Sequence, residues 1–191
     1  MGKGRLEAFS DGVIAVIITI MVLELHAPEG SSLEELMPLL PKVLTYVLSF
    51  IFVGIYWANH HHFFHLVKHV SGGLLWANLH LLFWLSLIPF TTAWMGENHF
   101  TTWPVFTYGV NLLACAVAYT IMTIISVRVH GHDSEIGRAV GRDKKGNISL
   151  VLYVIGIAAS LFSPPLACAA YVIVALIWLV PDKRMEQVVG S

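Results

Sequence analysis

The chain has 191 residues, of which 57% are hydrophobic and 12% charged, with a formal net charge of −1 and a mean hydropathy of +0.73. Soluble domains carry about 25% charged residues and fewer apolar ones, so the composition excludes an ordinary soluble domain and points to an all-α integral membrane protein. The basic residues are not gathered into a block interleaved with aromatics, which argues against nucleic acid as a partner.

Apolar stretches of roughly 20 residues, the length that crosses the hydrocarbon core, divide the single domain 1–191 into predicted spans near 7–26, 40–64, 74–95, 104–128, 147–163 and 165–181. The first begins like a secretory signal, with Lys3 and Arg5 ahead of an apolar run. Glu7 and Asp11 interrupt it and no small-x-small cleavage site follows, so a permanent helix is expected. Asp11 at the edge of such a helix must be paired or functional. At about 100° per residue, Val16, Thr19, Ile20 and Leu23 share one stripe and Asp11 points to roughly the opposite side, toward other helices of its own subunit. The stripe suits lipid contact or packing as well as the wall of a pore.

After the first span comes an acidic loop, Glu29 to Glu35, with Glu24 and Glu97 expected at the same face, a mouth that would concentrate cations. The second span ends in Trp57-Ala-Asn59-His60-His61-His62-Phe63-Phe64-His65, and Trp57, His61 and His65 share a helical face. The histidines invite zinc, but no acidic or cysteine ligand stands at matching spacing. The expectation is instead that one or two of them meet Asp11, Ser10 or Asn78 in a buried polar network, because polar groups within a bilayer must find partners. Asn78, early in the third span, suits a helix-to-helix contact, and Pro89 should kink that span near its outer end.

In the fourth span, Thr107-Tyr108-Gly109 is a fragment of the potassium filter string TVGYG, but the valine-glycine pair is missing and the run reads as helix. His130 to Gly146 is the one long polar loop and reads as solvated surface, and Ser163-Pro164-Pro165 breaks the last two spans into a tight hairpin. Cys115 and Cys168 lie in apolar runs, where a thiol acts as a small hydrophobe. Lys3, Arg5, Lys68, Arg128, Arg138, Arg142, Lys144, Lys145, Lys183 and Arg184 fall at alternate ends of the spans, with Lys42 alone on the other side. Both termini are therefore expected in the cytoplasm.

These residues resemble the transmembrane protein 175 family of lysosomal and prokaryotic potassium channels. Arg5, Phe9, Ser10 and Asp11 match its first-helix R-x-x-x-F-S-D signature; Trp57, His60 and His61 match the second-helix W-x-x-H-H pattern; Asn78, Pro89 and Phe90 match the third-helix asparagine and P-F pair. The resemblance covers all predicted spans in order and implies a channel without a re-entrant filter loop. One repeat per chain implies a homotetramer, with the first helices around a central pore and the signature residues holding the bundle together. It implies Val16 as inner constriction, Thr19 or Ile20 in the middle and Leu23 at the outer level, with Glu24 at the outer mouth, no cofactor, and potassium as permeant ion. Val16 is smaller than the Ile or Leu that often narrows this family, which implies a wider or leakier neck; an apolar neck without a carbonyl cage implies modest selectivity for potassium over sodium, and the resemblance also implies some proton leak. Short termini and a single repeat fit a prokaryotic plasma membrane.

Two other readings compete. A proton-coupled secondary transporter would use Asp11 and the histidines as a relay, although no internal repeat or broken helix is evident in the sequence. A metal-dependent membrane enzyme would use His60, His61, His62 or His65, but a nucleophile and a paired acid are missing.

Overall fold

The computed structural model describes residues 2–141 and 143–179; Arg142, Lys183, Arg184 and the last two positions of the sixth expected span lie outside the described residues. The described chain is helical, in the order α1 (Lys3–Leu23), a 3-10 helix (Leu33–Leu39), α2 (Leu40–Leu66), α3 (Gly72–Ser86), α4 (Ile88–Glu97), α5 (Thr102–His130), α6 (Glu135–Val140), α7 (Lys144–Ser160) and α8 (Pro164–Leu179). Segments Lys3–Leu23, Leu33–Leu66, Gly72–Glu97 and Thr102–His130 are long and apolar enough to cross a membrane. Helices α7 and α8 coincide with the last two expected spans but have 17 and 16 described residues.

Local chemistry sets the boundaries. The Ser71 hydroxyl accepts from the Leu74 N–H (3.2 Å) to cap α3, and Asp143 accepts from the Gly146 N–H (2.9 Å) to cap α7. Gly131 ends α5 at φ 90°, a region costly for a residue with a Cβ. At the other end of α2, Lys3 Nζ donates to the His65 carbonyl (3.2 Å), placing a cation where the helix dipole is negative.

Two expectations change. The third span is broken at Leu87 rather than kinked near its end, giving α3 and α4. Pro89 has no N–H for the ladder and its ring crowds the preceding turn. Asn111 of α5 closes the gap: its amide nitrogen donates to the Trp84 carbonyl (3.0 Å), and its oxygen accepts from the Thr91 hydroxyl (3.2 Å) and the Ile88 N–H (3.3 Å). Such repair lets irregular backbone persist at membrane depth. The polar loop after α5 is also not wholly solvated, because it contains α6, which buries Ile136 and Ala139 and is tied to Lys68 through Glu135 (3.4 Å).

The interior has two apolar clusters. One gathers α1, the C-terminal half of α2, α3 and the later part of α5 around Ile14, Ile17, Phe63, Phe64, Leu81 and Met122. The other joins α2, α5, α7 and α8 around Phe52, Tyr108, Tyr153 and Tyr171. In the second, Gly109 and Gly156 admit the Tyr171 ring; a Cβ on Gly109 would overlap the Tyr171 hydroxyl. Tyr108 itself is buried with its hydroxyl on Ser49 (2.9 Å), and Ser49 accepts from Thr92 (2.6 Å). The Thr107-Tyr108-Gly109 string is thus part of a packed helix.

Candidate functional site

Helix α1 has two unlike faces. Leu6, Ser10, Ile14, Ile17 and Met21 are buried against α2, α3 and α4, at the three- and four-residue spacing of one helical face. The opposite stripe is uncovered within the protomer: Val16 is 54% exposed, Ile20 41% and Leu23 73%, and Thr19 is also exposed. Four such positions over two turns leave an apolar surface broken by one hydroxyl. That hydroxyl donates to the Val16 carbonyl (2.8 Å), so only its oxygen lone pairs remain for another ligand.

The buried face is held by a chain of hydrogen bonds through three helices. His60 Nε2 lies 2.8 Å from Asn78 Oδ1, Asn78 Nδ2 donates to Ser10 Oγ (2.9 Å), and Ser10 Oγ donates to the Leu6 carbonyl (2.9 Å). All three side chains are fully buried or nearly so. With the amide nitrogen facing Ser10, the amide oxygen accepts a hydrogen bond from a protonated His60 Nε2. Phe64 packs on the imidazole, ring centroids 4.6 Å apart.

The remaining signature residues lie elsewhere. Trp57 Nε1 donates to Asp11 Oδ1 (3.1 Å), and His61 stacks on Trp57 at 6.2 Å. This set is at the surface: Asp11 and His61 are exposed and Trp57 is 48% exposed. Asp11 therefore meets a helix of its own subunit, but at the rim and not in the buried network. The reason is angular: Ser10 lies on the buried meridian, and Phe9 and Asp11 stand about 100° to either side. Phe9 is exposed, and Arg5 is exposed, its side chain without a hydrogen bond or ion pair among the described residues.

At the opposite end of α1, Glu24 lines a recess with Lys42 and Glu97. Lys42 forms an ion pair with Glu97 (3.0 Å), so the lone cation expected on this face offsets one carboxylate and leaves Glu24 as the uncompensated charge beside it. The histidines are spread out: His69 stacks on His130, whose Nε2 accepts the His69 N–H (3.2 Å). Among the described residues no three His, Cys, Asp or Glu side chains are gathered for a metal ion.

Sequence reasoning missed the Thr92–Ser49–Tyr108 hydroxyl cluster and the Asn111 repair. Asn111, a polar amide inside an apolar run, was the one available signal for the latter.

A family model described as endosomal/lysosomal potassium channel TMEM175 matches residues 5–89. A potassium channel of Chryseobacterium sp. is 58% identical over 187 residues, covering 98% of this chain and 97% of that protein. A potassium channel of Streptomyces collinus is 30% identical, covering 91% of this chain and 90% of that protein. Among solved structures, the crystal structure of a lysosomal potassium-selective channel TMEM175 homolog from Chamaesiphon minutus superposes with a TM-score of 0.80 at 28% identity, covering 93% of this chain and 96% of that one.

Proposed function

The chain belongs to the TMEM175 family, and from that premise we propose that it is a multi-pass potassium-permeable channel of the prokaryotic plasma membrane, acting as a homotetramer with both termini cytoplasmic and six crossings per subunit. The observation that carries the pore assignment is the division of α1 into a tied face and a bare one. Four copies would turn the Val16, Thr19, Ile20 and Leu23 stripe toward a common axis, while the Ser10–Asn78–His60 chain fixes each α1 in rotation. The exposed Arg5, Phe9 and Asp11 would then be covered by a neighbouring subunit.

The mechanism follows from the side chains. A ring of valine or leucine offers no ligand to an ion and holds water poorly, so it gates by dewetting. Potassium sheds its hydration shell more readily than sodium and so pays less to enter. Selectivity of this origin is modest, since no carbonyl cage replaces the lost water. Thr19 oxygens supply a partial replacement below Leu23, and protons pass wherever the neck is wetted. Glu24 raises the local cation concentration at the outer mouth.

The coupled-transporter reading gains one feature, the broken span at Leu87. The polar groups it frees at Trp84 and Ile88 are taken by Asn111, which leaves them unavailable to a substrate.

The test is thiol accessibility. With Cys115 and Cys168 replaced by Ala and Ser, cysteines at Val16, Thr19 and Leu23 should let a cationic methanethiosulfonate abolish potassium current in bilayers, and cysteines at Ile14 or Ile17 should not. Equal insensitivity of both sets would remove the stripe from the pore.

A further inference from the structure

One polar group on the outer surface of the subunit is out of place against lipid. His80 is exposed on α3, eight residues beyond Gly72, and so about 12 Å into a segment long enough to cross a hydrocarbon core of about 30 Å. It shares a stripe with Trp76 and Phe83, which are also exposed. Trp84 Nε1 donates to His80 Nε2 (2.9 Å). An indole nitrogen can only donate, so the neutral imidazole carries its proton on Nδ1, and that N–H has no hydrogen bond among the described residues. At this depth no water is present to accept it, and histidines of membrane spans face other protein or a water-filled cavity instead of lipid.

A matching acceptor stands on another flank of the same molecule. Asp11 is exposed; its Oδ1 accepts from Trp57 of α2, and its Oδ2 has no hydrogen bond among the described residues. The two groups lie at one depth. Successive crossings alternate in direction, so α1 and α3 run the same way, and the bond from Asn78 to Ser10 (2.9 Å) sets their register. Asp11 is one residue and His80 two residues beyond that bonded pair, a difference of about 1.5 Å along the bundle. They do not meet within the subunit. Ser10, His60 and Asn78 place α1, α2 and α3 at the corners of a triangle. Asp11 is on its α2 flank, whereas His80, about 200° round α3 from Asn78, points away from both other helices.

We propose that the α3 flank of each subunit docks on the α2 flank of the next copy of this chain, with His80 Nδ1 donating to Asp11 Oδ2 across the contact. This rests on the reading of the chain as a ring of subunits around α1. With the bare stripe of α1 turned to the axis, the α2 and α3 corners form the two sides of each wedge, and rotation about that axis sets one against the other in a head-to-tail contact that closes. An imidazole N–H and a carboxylate are complementary, and hydrogen bonds to an ionised acceptor are the strong ones. Trp76 and Phe83 on one flank and Trp57 on the other supply exposed aromatic surface beside the pair, of the kind enriched where proteins meet.

The test is cross-linking in liposomes, in a chain carrying Cys115→Ala and Cys168→Ser. His61→Cys and Trp76→Cys, which leave Asp11 and His80 in place, put a thiol on each flank at nearly equal depth. A short bis-methanethiosulfonate should join subunits of the double variant into a ladder up to the full oligomer and leave each single variant as monomer. Separately, His80→Leu should lower the temperature at which the solubilised oligomer dissociates by a few degrees, and should lower it little further in a chain already carrying Asp11→Leu. A double variant that does not cross-link yet elutes as an oligomer, a single variant that cross-links as well as the double, or additive losses from the two leucine variants would overturn the proposal and leave the ring standing. A protein that sediments as a monomer would overturn the ring and the proposal together.

Discussion

The half of the molecule built from α1 to α4 and the half built from α5, α7 and α8 are held together by different physics. In the first, one imidazole, one amide and one hydroxyl meet in a continuous chain of directional hydrogen bonds. In the second, three tyrosine rings pack around two glycine notches, and the hydrogen bonds involve hydroxyls that can turn to suit. Directional bonds fix the rotation of a helix about its own axis, because a turn of some tens of degrees breaks them. Ring packing fixes distance and tolerates small rotations. The directional half carries the helix whose bare stripe we assign to the pore, where a rotational error would move the lining residues.

Breaking the directional half should have the largest effect. Asn78→Ala strands the His60 N–H and the Ser10 oxygen together, at about 1–3 kcal/mol for each buried orphan. The expected result is loss of the folded protein, read by thermal unfolding and size-exclusion chromatography in detergent, beyond what a single surface change produces. Survival of a thermally unchanged, normally eluting protein would mean that ring packing alone positions α1.

Gly109→Ala probes the other half. Its Cβ would overlap the Tyr171 hydroxyl and crowd Ile157, an overpacking cost of about 1–3 kcal/mol. Thermal stability should fall while ion preference, if current remains, stays as in the wild type. Tyr171→Phe in the same chain should recover part of the loss. A shift in ion preference from Gly109→Ala would show that the halves are not separable.

The smallest effect belongs to the Glu24 end of α1, which we assign to the outer mouth of the pore. Glu24→Gln should lower potassium conductance at low ionic strength and have little effect near 1 M salt, where the Debye length is about 3 Å. Lys42→Ala, which releases Glu97 from its ion pair, should raise conductance under the same low-salt condition. Salt-independent changes would assign these residues a structural role.

The same contrast explains what the sequence disclosed. Ser10, Asn78 and the histidine run are polar residues in apolar stretches, so a buried network was legible. That His60, and not His61 or His62, enters it depended on the packing angle of α2, which spacing alone does not fix. Asp11 faces a helix of its own subunit, as its place opposite the stripe predicts, but of the three candidate partners for the histidines it is the one left out: one residue from Ser10 means about 100° of rotation, which carries it to the rim beside Trp57. Ser49, Thr92 and Tyr108 gave no sign of meeting, because hydroxyls in membrane helices commonly bond their own backbone, as Thr45 and Thr19 do here. The break at Leu87 was announced by Pro89, but its repair by Asn111 is a contact between distant segments. Helix α6 has six residues, too few for a periodic signal against its polar surroundings.

The central claim is that the bare stripe of α1 lines a potassium-permeable pore. Its most direct test is the reversal potential of the reconstituted protein with potassium on one side of a planar bilayer and sodium on the other, for the wild type and for Val16→Ala. The account predicts a wild-type current that reverses toward the potassium equilibrium potential, and a shift toward zero when Val16 is reduced to alanine. A wild-type current with no preference for potassium, or a reversal potential indifferent to Val16, would contradict it.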